Sequence, residues 1–300
     1  MKRIATVVIE RPLLRTTDDP NRLCPLMVTS VGRSGSTLLM QLLGAHPEVA
    51  VRLKYPMETT FARKKFHGII DGVTHLCQTH VKSCPSIQEA KNEIQTKVTA
   101  FIDKEVLEIG RWYQTLHYEQ SGNIIAPKYF AEKNLSPEWF VWEACPNAKE
   151  IFLVRDPRDM ICSSLAFNRK RGRLAFGRQD VGTDLEYVAH RASMMRPWVV
   201  EPWLARRDRS LLVRYEELIL NGPEVLMGIF QYLGIEATPS RVNASLEAIE
   251  ASGEIAKKHS TTEVPFQSIG RWRSEMSSDM ISVCNKEFVD FLSIFKYPLE

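Results

Sequence analysis

Apolar residues follow two rhythms along this chain. "PLMVTSV" (25–31) is a continuous run rich in β-branched residues, as a strand covered on both faces requires. "STLLMQLLGAH" (36–46) instead sets Leu38, Leu39, Leu42 and Leu43 at the spacing of a helix face. The same helical spacing recurs over "SIQEAKNEIQTKVTAFIDKEVLEIGRWYQTL" (86–116) and predicts one long amphipathic helix. Further strands are expected at "NIIAPK" (123–128), "KEIFLVRD" (149–156) and "RSLLVRYEEL" (209–218), with helical sequence between them. Residues 51–72 read as a loop and short helix, and 256–278 as a long loop returning to a ligand. Alternating strands and helices imply an α/β fold with a central parallel sheet flanked by helices in three layers. One domain over 1–300 is expected, with no repeat and no Gly- or Ser-rich linker.

Right-handed crossovers would gather the carboxyl ends of the strands along one edge, where open α/β sheets bind ligands. The polar residues following each expected strand are then the candidates: Arg33 to Thr37, Lys128, Arg155 to Ser164, and Tyr215 to Glu217. In the first of these, Gly32 and Gly35 let backbone approach a ligand and the helix start offers free N–H groups, which makes an anion site. Glycines that merely permit tight packing remain the plain alternative for this loop alone. In the third, Arg155 ends a strand, Pro157 opens a helix and Ser163 lies two turns on, so Arg155 and Ser163 together suit a phosphate. A structural Arg paired with Asp156 or Asp159 is the competing reading.

Composition narrows the classes without choosing among them. The chain has 300 residues, 44% hydrophobic and 25% charged, with a net charge of +3. This is too mild to signal nucleic acid, and the basic run Arg169–Arg178 carries no RNA-binding motif. The six cysteines form no CxxC pair, and Cys77 and Cys84 beside His75 and His80 match no familiar ligand spacing, so no metal is expected. The N-terminus does not read as a signal peptide and no apolar run reaches membrane-spanning length, from which a soluble, cytoplasmic protein is expected. The Walker pattern is absent, with Ser36 where its Lys would stand.

Four stretches together resemble the sulfotransferases that use 3′-phosphoadenosine 5′-phosphosulfate (PAPS), and look closer to the bacterial and Golgi types than to the cytosolic ones. "RSGST" (Arg33, Ser34, Gly35, Ser36, Thr37) is similar to the loop that holds the 5′-phosphosulfate. "RDPRDMICS" is similar to the 3′-phosphate motif, with Arg155 and Ser163 in its two roles. "VRYEEL" resembles the strand end whose Tyr, here Tyr215, lies near adenine, and "SIGRWRSE" resembles the loop closing over the nucleotide, here Ser268, Arg271 and Trp272. The matches run in order over residues 26–275. The resemblance implies a P-loop-like fold, sulfuryl transfer to a hydroxyl or amine of a small-molecule, glycan or peptide acceptor, and no metal. Glu58 is the first candidate for the base and His46 the second, with His67 and His117 behind; Arg33 and Lys128 would support the leaving group. The acceptor would meet loops 51–84 and 172–183. The chain departs from the cytosolic pattern at Leu38, where a Trp would stack on adenine, at "PFQ" (265–267), and at "PKYF", which lacks the usual His. A P-loop nucleotide kinase or NTPase, and a non-catalytic adenosine-phosphate binder, are the rivals.

Overall fold

A computed structural model describes residues 22–54, 65, 68, 72, 75, 87–122, 125–134, 141, 145, 147–251 and 261–299. Five strands form one sheet in the order β2-β3-β1-β4-β5: β1 is Cys24–Thr29, β2 Val49–Val51, β3 Tyr129–Asn134, β4 Lys149–Val154 and β5 Leu211–Arg214. β2 pairs parallel with β3, and β4 parallel with β5. Non-consecutive neighbours in this order mean crossovers, and helices make them: α1 (Ser36–Gly44), α2 (Ile87–Ser121), α3 (Pro157–Arg171), α4 (Asp184–Met195) and α5 (Glu201–Arg206). After β5 the chain is helical, through α6 (Tyr215–Leu220), α7 (Gly222–Leu233), α8 (Pro239–Ala251), α9 (Trp272–Glu275), α10 (Ser278–Glu287) and α11 (Val289–Ile294).

Chain contacts divide the molecule into two compact units, one of residues 1–26, 47–132 and 138–149, the other of 27–46, 133–137 and 150–300. In the first, Ile102, Val106, Ile109 and Tyr113 of α2 are fully buried at helical spacing, and the Tyr113 ring stacks on Phe130 of β3 at 4.7 Å. The amide of Gln120 accepts from Leu53 N (2.9 Å) and donates to the Val51 carbonyl (3.1 Å), satisfying backbone of the edge strand β2. In the second unit, β4 is buried from Glu150 onward, and Phe152, Val154, Ile161, Tyr187, Phe288 and Phe295 belong to one apolar cluster. Glu150 is buried there too, but Arg206 (2.7 Å), Thr29 (2.5 Å) and Ser210 (3.1 Å) saturate its carboxylate.

Three sequence expectations are corrected. β3 starts at Tyr129, not within 123–128. Lys128 therefore precedes the strand, and its ammonium pairs with Glu48 at 2.6 Å with the side chain 56% exposed. β2 was not expected at all, since three residues are too few to show a period. The segment 256–278 is not structureless where described: Pro265–Ser268 forms a 3₁₀ turn and α9 begins at Trp272.

Candidate anion-binding site

The loop between β1 and α1 is held in an unusual backbone form. Arg33 has φ 75° and Gly35 φ 92°, both left-handed, and Gly35 caps α1 with no side-chain hydrogen bond. Left-handed geometry at a non-glycine residue costs on the order of 1–2 kcal/mol. The neighbours hold it there: Ser34 is buried and its hydroxyl donates to the Val31 carbonyl, while the carbonyl of Arg33 accepts from Arg155 Nη1 at 3.1 Å. At Gly35 glycine is obligatory, because a Cβ would stand 2.3 Å from the Tyr215 ring. The result leaves the first-turn amides of α1 without a side-chain cap, at the positive end of the helix dipole.

Two more cations approach this loop. Lys133, near the carboxyl end of β3, donates to Thr37 Oγ1 at 2.9 Å. Arg191 of α4, buried and held below its ordinary pKa by that burial, donates to the Gly32 carbonyl at 3.1 Å. Lys133 thus occupies the strand-end place that the sequence assigned to Lys128.

The strand end after β4 is built differently. Arg155 is 4% exposed, donates to the carbonyls of Arg33 and of Ser268 (2.6 Å), and lies with its guanidinium carbon 4.5 Å from the Tyr215 ring centre. It forms no ion pair among the described residues, and its buried Nε has no hydrogen-bond partner there. That orphaned N–H on a permanent cation is what an anion would satisfy. The competing structural pairing falls instead to Arg158, whose guanidinium grips Asp156 at 2.8 Å and 3.0 Å. Ser163, buried on α3, accepts from Arg33 Nε at 3.0 Å, and the Arg33 guanidinium packs 4.4 Å over Phe167. Arg33, Arg155 and Ser163 thus converge, with Arg33 turned toward the second motif rather than along its own loop.

Residues 261–275 complete the site. Tyr215 hydroxyl and Ser268 Oγ are 2.9 Å apart. Arg271 is neutralised by Glu275 (2.7 Å and 2.9 Å) and donates to Thr261 Oγ1 (2.7 Å), which lies 3.5 Å from Ser163 Oγ. Trp272 is buried under the Arg158 guanidinium at 3.9 Å. Asp159, fully buried, accepts from Gly270 N (2.7 Å) and Trp272 N (3.1 Å). Burial pushes its carboxyl up to about 6, against the opposing pull of Arg155 and of those two amides.

His46 is corrected as a candidate base. It lies just beyond α1, at the opposite end from the loop, fully buried with Nε2 3.0 Å from the Glu236 carbonyl and its ring 4.6 Å from Phe230. His117 is buried as well, and burial holds it below its ordinary pKa. Glu58, His67 and most of loop 51–84 lie outside the described residues. Lys133, Asp159 and Arg191 are the site residues that sequence reasoning missed. "RDPRD" already carried the signal for Asp159, which the sequence offered only as a structural ion-pair partner for Arg155.

Comparison with known proteins now adds the class. Residues 25–239 match the profile of the Sulfotransferase family, and the chain belongs to that family. It is similar to carbohydrate sulfotransferase 1 of Danio rerio, 28% identical over 151 residues covering 45% of this chain and 34% of that protein. It is also similar to the protein-tyrosine sulfotransferase of Drosophila melanogaster, 27% identical over 218 residues covering 72% of this chain and 39% of that one. The chain therefore matches little more than a third of the length of these curated relatives. A mouse sulfotransferase crystallised with PAP superposes with a TM-score of 0.50 at 14% identity, covering 92% of this chain and 86% of that one, and shares the fold.

Proposed function

We propose that this chain transfers a sulfuryl group from PAPS to a hydroxyl or amine of a small-molecule, glycan or peptide acceptor. Family membership supports the reaction, and the relatives named for carbohydrate and protein tyrosine support a hydroxyl as the acceptor group. The observation that carries the reading is Arg155: a buried guanidinium with no ion pair among the described residues, fixed by the backbone carbonyls of Arg33 and Ser268, with one N–H orphaned there. A dianionic 3′-phosphate is the group such a pocket selects.

PAPS supplies an activated sulfuryl group on a 5′-phosphate. The task of the chain is to hold both ends of the nucleotide and to stabilise charge gathering on the departing phosphate oxygen. The uncapped amides of Ser36 and Thr37 and the hydroxyl of Thr37 take the 5′ end, and Lys133, already on Thr37 Oγ1, brings the cation there. Arg155, Ser163 and Arg33 take the 3′ end, and Tyr215 walls the site between them. Glu58 stays the proposed base. A sulfuryl group carries less charge than a phosphoryl group, and the reading invokes no metal. The cytoplasm is the compartment proposed with it.

Calorimetric titration with adenosine 3′,5′-bisphosphate, alongside Mg-ATP, tests the donor. The expected result is one-to-one micromolar binding of the bisphosphate that chelator leaves unchanged. Preference for Mg-ATP would overturn the reading in favour of a kinase or NTPase.

A further inference from the structure

The loop from Ser268 to Trp272 touches the donor site through its backbone: the Ser268 carbonyl fixes the Arg155 guanidinium at 2.6 Å. Its neighbouring bonds are Ser268 Oγ to the Pro265 carbonyl (2.6 Å) and to the Tyr215 hydroxyl (2.9 Å). Two residues on, a single carboxylate anchors it. Asp159 spreads its two oxygens over the amides of Gly270 and Trp272, on either side of Arg271, and no side chain from the loop itself does this work. Gly270 takes φ 70°, which turns its N–H and that of Trp272 to the same acceptor. Asp159 sits in the first turn of α3, four residues after Arg155 and four before Ser163. It is spaced to tie the loop to the same short segment that carries both proposed phosphate ligands.

We propose that Asp159 is a positioning residue for the donor: its carboxylate latches the 268–272 loop so that the Ser268 carbonyl holds the Arg155 guanidinium toward the 3′-phosphate. It touches no substrate and acts through Ser268 and Arg155. A buried charge that spends both oxygens on backbone amides is costly to keep, and an apolar residue would pack more cheaply. Its retention is explained by the loop geometry it imposes. This inference rests on the PAPS reading above.

The test uses Asp159→Asn and, from the loop side, Gly270→Ala, whose added Cβ would stand 2.9 Å from the Arg273 guanidinium and require a left-handed alanine. Titration with adenosine 3′,5′-bisphosphate reads affinity and the competent fraction separately. Asp159→Asn keeps one acceptor oxygen and is expected to raise Kd about tenfold with stoichiometry near one, the loss of about one hydrogen bond to a charged group. Gly270→Ala is expected to move Kd the same way. Limited trypsin cleavage after Arg271 and Arg273, in the absence of nucleotide, should accelerate in both variants. A wild-type Kd in Asp159→Asn overturns the proposal, and so does lower stoichiometry at unchanged Kd, which marks a purely structural residue. If the wild type binds no bisphosphate, the PAPS reading fails instead, and the trypsin result alone decides whether Asp159 holds the loop.

Discussion

The two strand–loop–helix turns of this site follow one plan with opposite chemistry at the helix start. After β1, the cap is Gly35 in left-handed geometry with no side-chain bond, so the first amides of α1 are available to a ligand. After β4, the cap is Asp156, which accepts from Arg158 N at 2.9 Å, with Pro157 at the first helical position and Asp159 beside it. There the chain's own carboxylate caps the helix start. The cation moves to the strand end as Arg155, and the hydroxyl moves two turns along the helix to Ser163. One turn offers an anion its backbone amides, the other its side chains.

Breaking the second cap gives the largest expected effect. Asp156→Ala strips the carboxylate from Arg158, a fully buried guanidinium, and should destabilise the fold by about 3–5 kcal/mol, the range for orphaning a buried charge. Denaturant unfolding reads this, and the fraction still folded should bind adenosine 3′,5′-bisphosphate as before. Next is Gly35→Ala, which meets Tyr215 and a forbidden φ together. It should cost upwards of about 1–2 kcal/mol of stability and, unlike Asp156→Ala, at least about a hundredfold in bisphosphate affinity. Smallest is Ser163→Ala, with near-wild-type unfolding and a Kd raised about tenfold through one lost hydroxyl contact. If Asp156→Ala and Gly35→Ala moved affinity alike, the contrast between a structural cap and a binding cap would not stand.

The same contrast explains what was legible in the sequence. The turn after β1 is written in local signals, a β-branched run, two glycines and a leucine face, and local signals survive without a structure. β3 is not, because its core-facing pattern is broken by Glu132 and Lys133, both buried. They are tolerated only because Glu132 accepts from the Tyr113 hydroxyl and Lys133 donates to Thr37, partners 19 and 96 residues away. The apolar pair Ile124 and Ile125 drew the strand six residues upstream, so the lysine at the carboxyl end of the strand is Lys133 and not Lys128. His46 failed for a related reason: a histidine beside a helix end reads the same whether it faces a ligand or, as here, a carbonyl 190 residues on. Asp159 was visible but its meaning was not, since its two partners lie more than a hundred residues downstream.

In the proposed donor site Arg155 reads the 3′-phosphate and the β1–α1 loop the 5′ end. The most direct test of this assignment is a calorimetric cycle that compares adenosine 3′,5′-bisphosphate with adenosine 5′-monophosphate on the wild type and on Arg155→Ala. The wild type is expected to prefer the bisphosphate by at least about a hundredfold, and Arg155→Ala to abolish most of this preference while weakening monophosphate binding far less. An undiminished preference in Arg155→Ala would contradict the assignment.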